Sequence, residues 1–273
     1  MNNKIISAIL GFLNSNGSED TKQILLNIYL KGLCQTNNHL MKDRLLPLKD
    51  KYIGKRAFIL GNGPSLKNTD VRLLKDEITI ASNGIFFLFD QMGFLPTFYT
   101  VEDTLVAEDR AEIINKIRGT TKIFPYDISP HLRQDEDTLY INFLRGYPFF
   151  PQISTNFADH VFWGGTVTFL NIQLAYFLGI SKVYLIGIDH NYVIPQKDIQ
   201  TGSVIMSQSQ DQNHFHPDYF GPGFRYHDPM IERMEIGYKK VKEFCDKTGW
   251  RIYNATAGGR LEVFERREFK SLF

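Results

Sequence analysis

From Lys55 onward, short β-rich runs alternate with helical stretches, and that alternation leaves few architectures open to the chain. The runs are AFILG (57–61), ITIASN (78–83), TFYTVED (97–103), KIFPYD (122–127), TLYINF (138–143), KVYLIGID (182–189) and RIYNAT (251–256). Strands that are apolar along their length are buried on both faces, and parallel strands need long crossovers, which the intervening helices supply. The pattern predicts an α/β, Rossmann-like domain over residues 51–273, its mostly parallel sheet covered by helices on both faces. Residues 1–50 contain no good strand. Ile5, Ile6, Ile9, Leu10 and Leu13, then Ile24, Leu25, Ile28, Tyr29 and Leu33, recur at helical spacing, so the segment reads as an N-terminal helical appendage.

The composition narrows the partners. With 31 basic and 30 acidic residues mixed along 273 positions, the net charge is +1, and nothing global points to nucleic acid or an acidic membrane. The apolar run after Lys4 is too short to span a bilayer and no small-residue cleavage site follows it, so no transmembrane segment or secretion is expected. Cys34 and Cys245 both sit in helix-like patterns and build neither a disulfide framework nor a metal-ligand spacing. Buried free thiols in a reducing, cytoplasmic compartment fit that usage. The sequence leaves open a homo-oligomer.

The strand AFIL runs straight into Gly61-Asn62-Gly63-Pro64-Ser65-Leu66. Two glycines allow a tight turn and close approach of a ligand, Pro64 suits a first helical turn, and the Ser65 hydroxyl lies where a phosphate would meet helix N-terminal amides. The string lacks the lysine of a Walker loop and, with Leu66 in place, the third glycine of the dinucleotide fingerprint. Asn83, Glu102, Asp103 and Asp189 close further strands, and strand C-termini are where open α/β sheets bind ligands. Each alone also reads as a helix cap. Trp163-Gly164-Gly165-Thr166-Val167-Thr168 opens the apolar helix FLNIQLAYFLG, where Gly165, Thr166 and Thr168 offer amides and hydroxyls to an anion or simply cap a core helix.

Between Asp189 and Pro229 lie residues of little periodicity, rich in His, Asp, Asn, Tyr and Phe. A segment that long in a compact domain reads as a lid, here about 190–228. It carries His214, His216, Arg225 and His227. The histidines fit no usual zinc spacing, and a histidine at the mouth of a strand-end site is better suited to general-base work. The arginine and tyrosines suit a leaving phosphate.

The runs FILGNGPSLKNTD, SNGIFF and FLGISKVYLIGID, with the ending RIYNATAGGRLEVFERREF, resemble the bacterial CMP-sialic acid-dependent sialyltransferases of Campylobacter and Pasteurellaceae type. They resemble more closely a group that includes the motility accessory factors and the 6-hydroxymethylpterin diphosphokinase-like proteins. The resemblance covers about residues 55–270. It implies a nucleotide held by Asn62 to Ser65 and Asn83, with Asp189 in the same site, Tyr192 assisting the leaving phosphate and His227 as base. Thr100 stands where the sialyltransferases have an asparagine, and GGTVT replaces their TSG. The acidic pair Glu102-Asp103 would suit magnesium on a diphosphate, with Asp103 its protein ligand.

The expected function is therefore glycosyl transfer in polysaccharide biosynthesis, from a nucleotide-activated donor such as a CMP-linked nonulosonic acid to a glycan or related acceptor. No cofactor is required on that reading. The alternatives are a magnesium- and ATP-dependent diphosphokinase acting on a pterin-like alcohol, and a non-catalytic nucleotide-sugar-binding protein of a surface-glycan assembly complex.

Overall fold

The structure, a computed structural model, describes residues 41–273. The stripes from Ile5 to Leu33 and Cys34 lie outside those residues. Each β-rich run of the sequence contains a strand of one sheet: β1 (Arg56–Leu60), β2 (Ile78–Ser82), β3 (Phe98–Thr100), β4 (Thr121–Pro125), β5 (Thr138–Ile141), β8 (Lys182–Ile186) and β12 (Arg251–Asn254). With β13 (Glu265–Arg266) they form eight strands in the order β13-β12-β8-β1-β2-β3-β4-β5. Every neighbouring pair is parallel. The fold is α/β and Rossmann-like, as the alternation predicts.

Side chains along β1 alternate between two cores, as strand geometry requires. Ala57 and Ile59 face one cluster, Phe58 and Leu60 the other. Two of the helices cover the first cluster: α4 (Val167–Phe177) and α5 (Ile231–Thr248). The α4 helix is buried nearly all round, including Asn171 and Gln173. The carbonyl oxygens of those side chains tie neighbours down, while the buried Asn171 Nδ2 has no partner. Thr100 Oγ1 donates to Asn171 Oδ1 at 2.6 Å, and Gln173 Oε1 accepts from the amides of Ser154 and Phe162 at 3.0 and 3.2 Å. The second face is covered by short helical pieces, among them α1 (Phe89–Met92), α2 (Thr104–Asp109) and α3 (Ala111–Ile114). Leu45 and Leu48 are buried in the first cluster, so residues 41–48 pack on the domain. Cys245 is buried there too, and burial pushes its thiol up to about 11.

The connectivity fixes where a ligand can sit. From β1 the chain moves outward through β2, β3, β4 and β5, then crosses back to β8 on the other side of β1. The strand order reverses between β1 and β8, and the loops leaving their C-terminal ends diverge there and open a crevice.

The segment 190–228 is less irregular than its sequence suggests. It contains an antiparallel sheet of β9 (Ile199–Thr201), β10 (Val204–Met206) and β11 (Arg225–His227). Strands of three residues are too short to show periodicity. Between β10 and β11 the chain is anchored to the body. The Phe215 amide donates to Asn62 O at 2.9 Å, and the Gly84 amide donates to the Tyr219 hydroxyl oxygen at 3.2 Å. Phe215 and Tyr219 are buried in the second cluster. A further parallel pair, β6 (Phe143–Leu144) and β7 (Val161–Phe162), flanks the approach to α4.

Candidate functional site

A cleft of about 900 Å³ lies over the C-terminal ends of the sheet, at the β1–β8 reversal. Its floor is the turn after β1. The Gly61 amide donates to Ile186 O at 2.8 Å and the Gly63 amide to Gly187 O at 2.9 Å, which draws the turn against the end of β8. A Cβ at Gly61 would collide with Gly187 O, and one at Gly63 with the Asp189 carboxylate. That close approach places Asp189 on the first turn of the helical piece Pro64–Asn68. Its Oδ1 accepts from the Ser65 amide at 3.1 Å and its Oδ2 from the Ser65 hydroxyl at 2.7 Å. Burial raises the Asp189 carboxyl above its ordinary range, and the bonds from Ser65 offset part of that rise. The negative group that Ser65 meets is thus Asp189, and Ser65 lies behind the cleft wall.

Two asparagines present unpaired amide oxygens here. Asn62 Nδ2 donates to Ser82 O at 3.1 Å, which fixes the amide and leaves its buried Oδ1 without a partner. Asn83 follows β2 with φ of 50°, a left-handed conformation that asparagine tolerates better than most residues. The Tyr99 hydroxyl donates to its carbonyl at 2.5 Å, and its Oδ1 is likewise buried and unpartnered. Buried polar atoms are almost always paired, so two orphans in one cleft are what a hydrogen-bonding ligand would satisfy.

Beyond β3 the cleft meets Glu102 and Asp103. Asp103 caps α2, its Oδ1 accepting from the amides of Leu105 and Val106 at 2.8 and 3.3 Å. The same oxygen is 3.6 Å from His227 Nε2 at the end of β11. Glu102 is 7% exposed. Burial pushes its carboxyl up to about 7, against the pull of Arg145. Arg145 Nε donates to Asp127 Oδ2 at 2.6 Å and its Nη2 to Glu102 O at 2.6 Å.

The 190–228 segment forms the opposite wall. His214 Nδ1 is 2.7 Å from Asp211 Oδ2, and its ring stacks on Tyr219 with centroids 3.9 Å apart. Burial alone would raise Asp211, but the imidazole and the amides of Asn213 and Phe220 outweigh it and hold the carboxyl low. Tyr192 packs edge-on to His214, and burial raises its phenol well above the ordinary value. The start of α4 closes the remaining side. Thr166 caps it, its hydroxyl accepting from the Thr168 amide at 3.3 Å, and Gly165 with φ of 86° makes the preceding turn. Arg233 of α5 lies 5.2 Å over the Trp163 ring.

The structure therefore brings Gly61, Asn62, Gly63, Asn83, Asp103, Gly165, Thr166, Thr168, Asp189, Tyr192, His214 and His227 to one cleft. It does not bring His216 or Arg225. His216 stacks on Phe87 at 4.3 Å, and the Arg225 guanidinium is held by Asp109 and Glu108 on α2. Sequence reading missed Asp211, whose placement three residues before His214 was the available signal. It also missed Arg145, Asp127 and the buried His190, which stand in turns with no periodic pattern. Among the described residues, no group of three or more His, Cys, Asp or Glu side chains is arranged to hold a metal ion, and no helix is long and apolar enough to cross a membrane.

No curated protein matches the chain. Among solved structures it is similar to the MAf glycosyltransferase from Magnetospirillum magneticum AMB-1, at 14% identity and a TM-score of 0.46. That match covers 86% of this chain and 39% of the other, so the chain spans about two fifths of that protein's length. Residues 33–194 match the model of a family described as 6-hydroxymethylpterin diphosphokinase MptE-like, and the chain belongs to this MptE-like family.

Proposed function

We propose that the protein is a transferase that moves a sugar from a nucleotide-activated donor to a hydroxyl of a glycan or related acceptor. The observation that carries this reading is the pair of buried, unpartnered oxygens of Asn62 and Asn83 beside the β1–β8 reversal. Both are acceptors and ask for donors, which the amino group of a nucleobase or the hydroxyls of a ribose provide. The amides at the start of α4 are the place for the phosphate, because an 11-residue helix presents its positive end there.

In the transfer step the acceptor oxygen attacks the anomeric carbon as the bond from that carbon to the donor phosphate breaks. The acceptor proton passes to a histidine, and the phosphate leaves with the bonding pair. His227 at the cleft mouth is the first candidate for the base. His214 is the second, since Asp211 orients its ring through Nδ1. The Tyr192 phenol, protonated near neutrality, suits a hydrogen bond to the departing phosphate. Arg225 is engaged by Asp109 and Glu108, so the phosphate role passes to Tyr192 and the start of α4.

The family description supports a second reading, a diphosphokinase that transfers diphosphate from ATP to a pterin-like alcohol. Magnesium held largely by substrate phosphates needs only one or two carboxylates, and Asp103 would supply one. Turnover of nucleotide-sugar and ATP donors, each with EDTA or magnesium, separates the two. Sugar transfer that survives EDTA and falls about 10²–10⁴-fold in His227→Ala supports the first reading. Activity with ATP alone, lost in EDTA and in Asp103→Asn, overturns it.

A further inference from the structure

The cleft runs along the sheet edge from the β1–β8 reversal to the residues that follow β3. Two strand spacings, roughly 10 Å, separate β1 from β3. At that far end stands Glu102, a cleft-lining side chain more than nine-tenths buried. Its Oε2 has no hydrogen-bond partner, although Arg145 Nη1 lies 3.7 Å away, near enough for ion pairing and too far for a hydrogen bond. Arg145 donates to Asp127 Oδ2 and to the Glu102 carbonyl. A buried carboxyl oxygen left unpaired is destabilising, and a ligand group in this part of the cleft would relieve it.

We propose that the β3–β4 end of the cleft is the subsite for the sugar ring, that this ring is uncharged there, and that Glu102 binds one of its hydroxyls. The proposal rests on the nucleotide-donor reading for what occupies the other end. The charge around Glu102 selects the ligand. Asp103 and Asp127 flank it, with Arg145 between the acids and His227 on the far side of Asp103. A sugar carboxylate placed here would meet three acids, Glu102, Asp103 and Asp127, and a guanidinium already engaged by Asp127. A hydroxyl meets no such penalty. It donates to Glu102 when the carboxyl is ionised and accepts from it when protonated, and with a carboxyl at about 7 both forms are present near neutrality.

Saturation-transfer NMR on the full chain tests this with CMP, ATP, N-acetylglucosamine as a neutral sugar, and N-acetylneuraminic acid as an acidic one. The neutral sugar should give the stronger signal. Its affinity should fall about 5–10-fold in Glu102→Met, which fills the space without a polar atom, and stay within about twofold in Glu102→Gln. Nucleotide binding should be equal in all three proteins, which also reports that each is folded. If a nucleotide binds but no sugar does, or the acidic sugar binds better, or Glu102→Met leaves sugar binding intact, the subsite proposal is overturned alone. If no nucleotide binds, the donor reading falls and this proposal falls with it.

Discussion

At Gly63 a single hydrogen in place of a side chain lets the Asp189 carboxylate reach the Ser65 amide and hydroxyl. Gly63→Ala should force the turn off the end of β8. A loss of about 1–3 kcal/mol in denaturant unfolding, accompanied by loss of nucleotide binding, is the expected result. Unchanged stability would mean that the turn has room the structure does not show. Glu102 gives a pH signature. Its carboxyl is raised from 4.5 to about 7, chiefly by burial, so between those values the folded state keeps a proton that the unfolded chain releases. Stability from this group is therefore complete below about pH 4.5 and is lost as pH rises through 7, by roughly 3 kcal/mol at most. Glu102→Gln should gain stability relative to the wild type as pH goes from 5 to 8. A difference that stays flat across that range would contradict the raised value. Neither Glu102's burial nor its neighbours Arg145 and Asp127 were legible in the sequence. They arrive from three separate loops, and only the sheet order brings them together.

Among the elements, the strands were legible and the segment over the cleft was not. Four- and five-residue apolar runs such as those of β1, β2 and β8 announce burial on both faces, whereas β6, β7 and β13 have two residues each and leave no pattern. The 190–228 segment read as a lid because its aromatic and polar residues alternate with no period. In the structure Phe215 and Tyr219 are buried in the second core, while all three residues of β9 are exposed. The segment should thus behave as two parts. In hydrogen exchange, the amides of Phe215, Tyr219 and Phe220 should be protected without ligand, since they donate to Asn62 O, His216 O and Asp211 Oδ2. The β9–β10 hairpin should exchange fast and slow down when nucleotide is added. Rapid exchange throughout 211–220 in the free protein would contradict the anchored part, and a hairpin indifferent to nucleotide would remove the lid.

For the whole molecule, the site follows from topology. Because the chain leaves β1 in one direction and returns to β8 in the other, GNGPS and the Gly-Ile-Asp run ending at Asp189 meet at the one reversal of strand order. The sequence supplied both motifs, but their contact needed the sheet. Which histidine serves as base is a finer matter, since His214 and His227 both line the cleft from the same segment. The central claim is that the unpaired oxygens of Asn62 and Asn83 await a nucleotide. Thermal unfolding with CMP, CDP, UDP, GDP and ATP, with and without magnesium, tests it most directly. One nucleotide at about 100 times its dissociation constant should add about 2.7 kcal/mol, and that gain should shrink in both Asn62→Ala and Asn83→Ala. No stabilisation by any nucleotide, or stabilisation that both variants retain in full, would contradict the account.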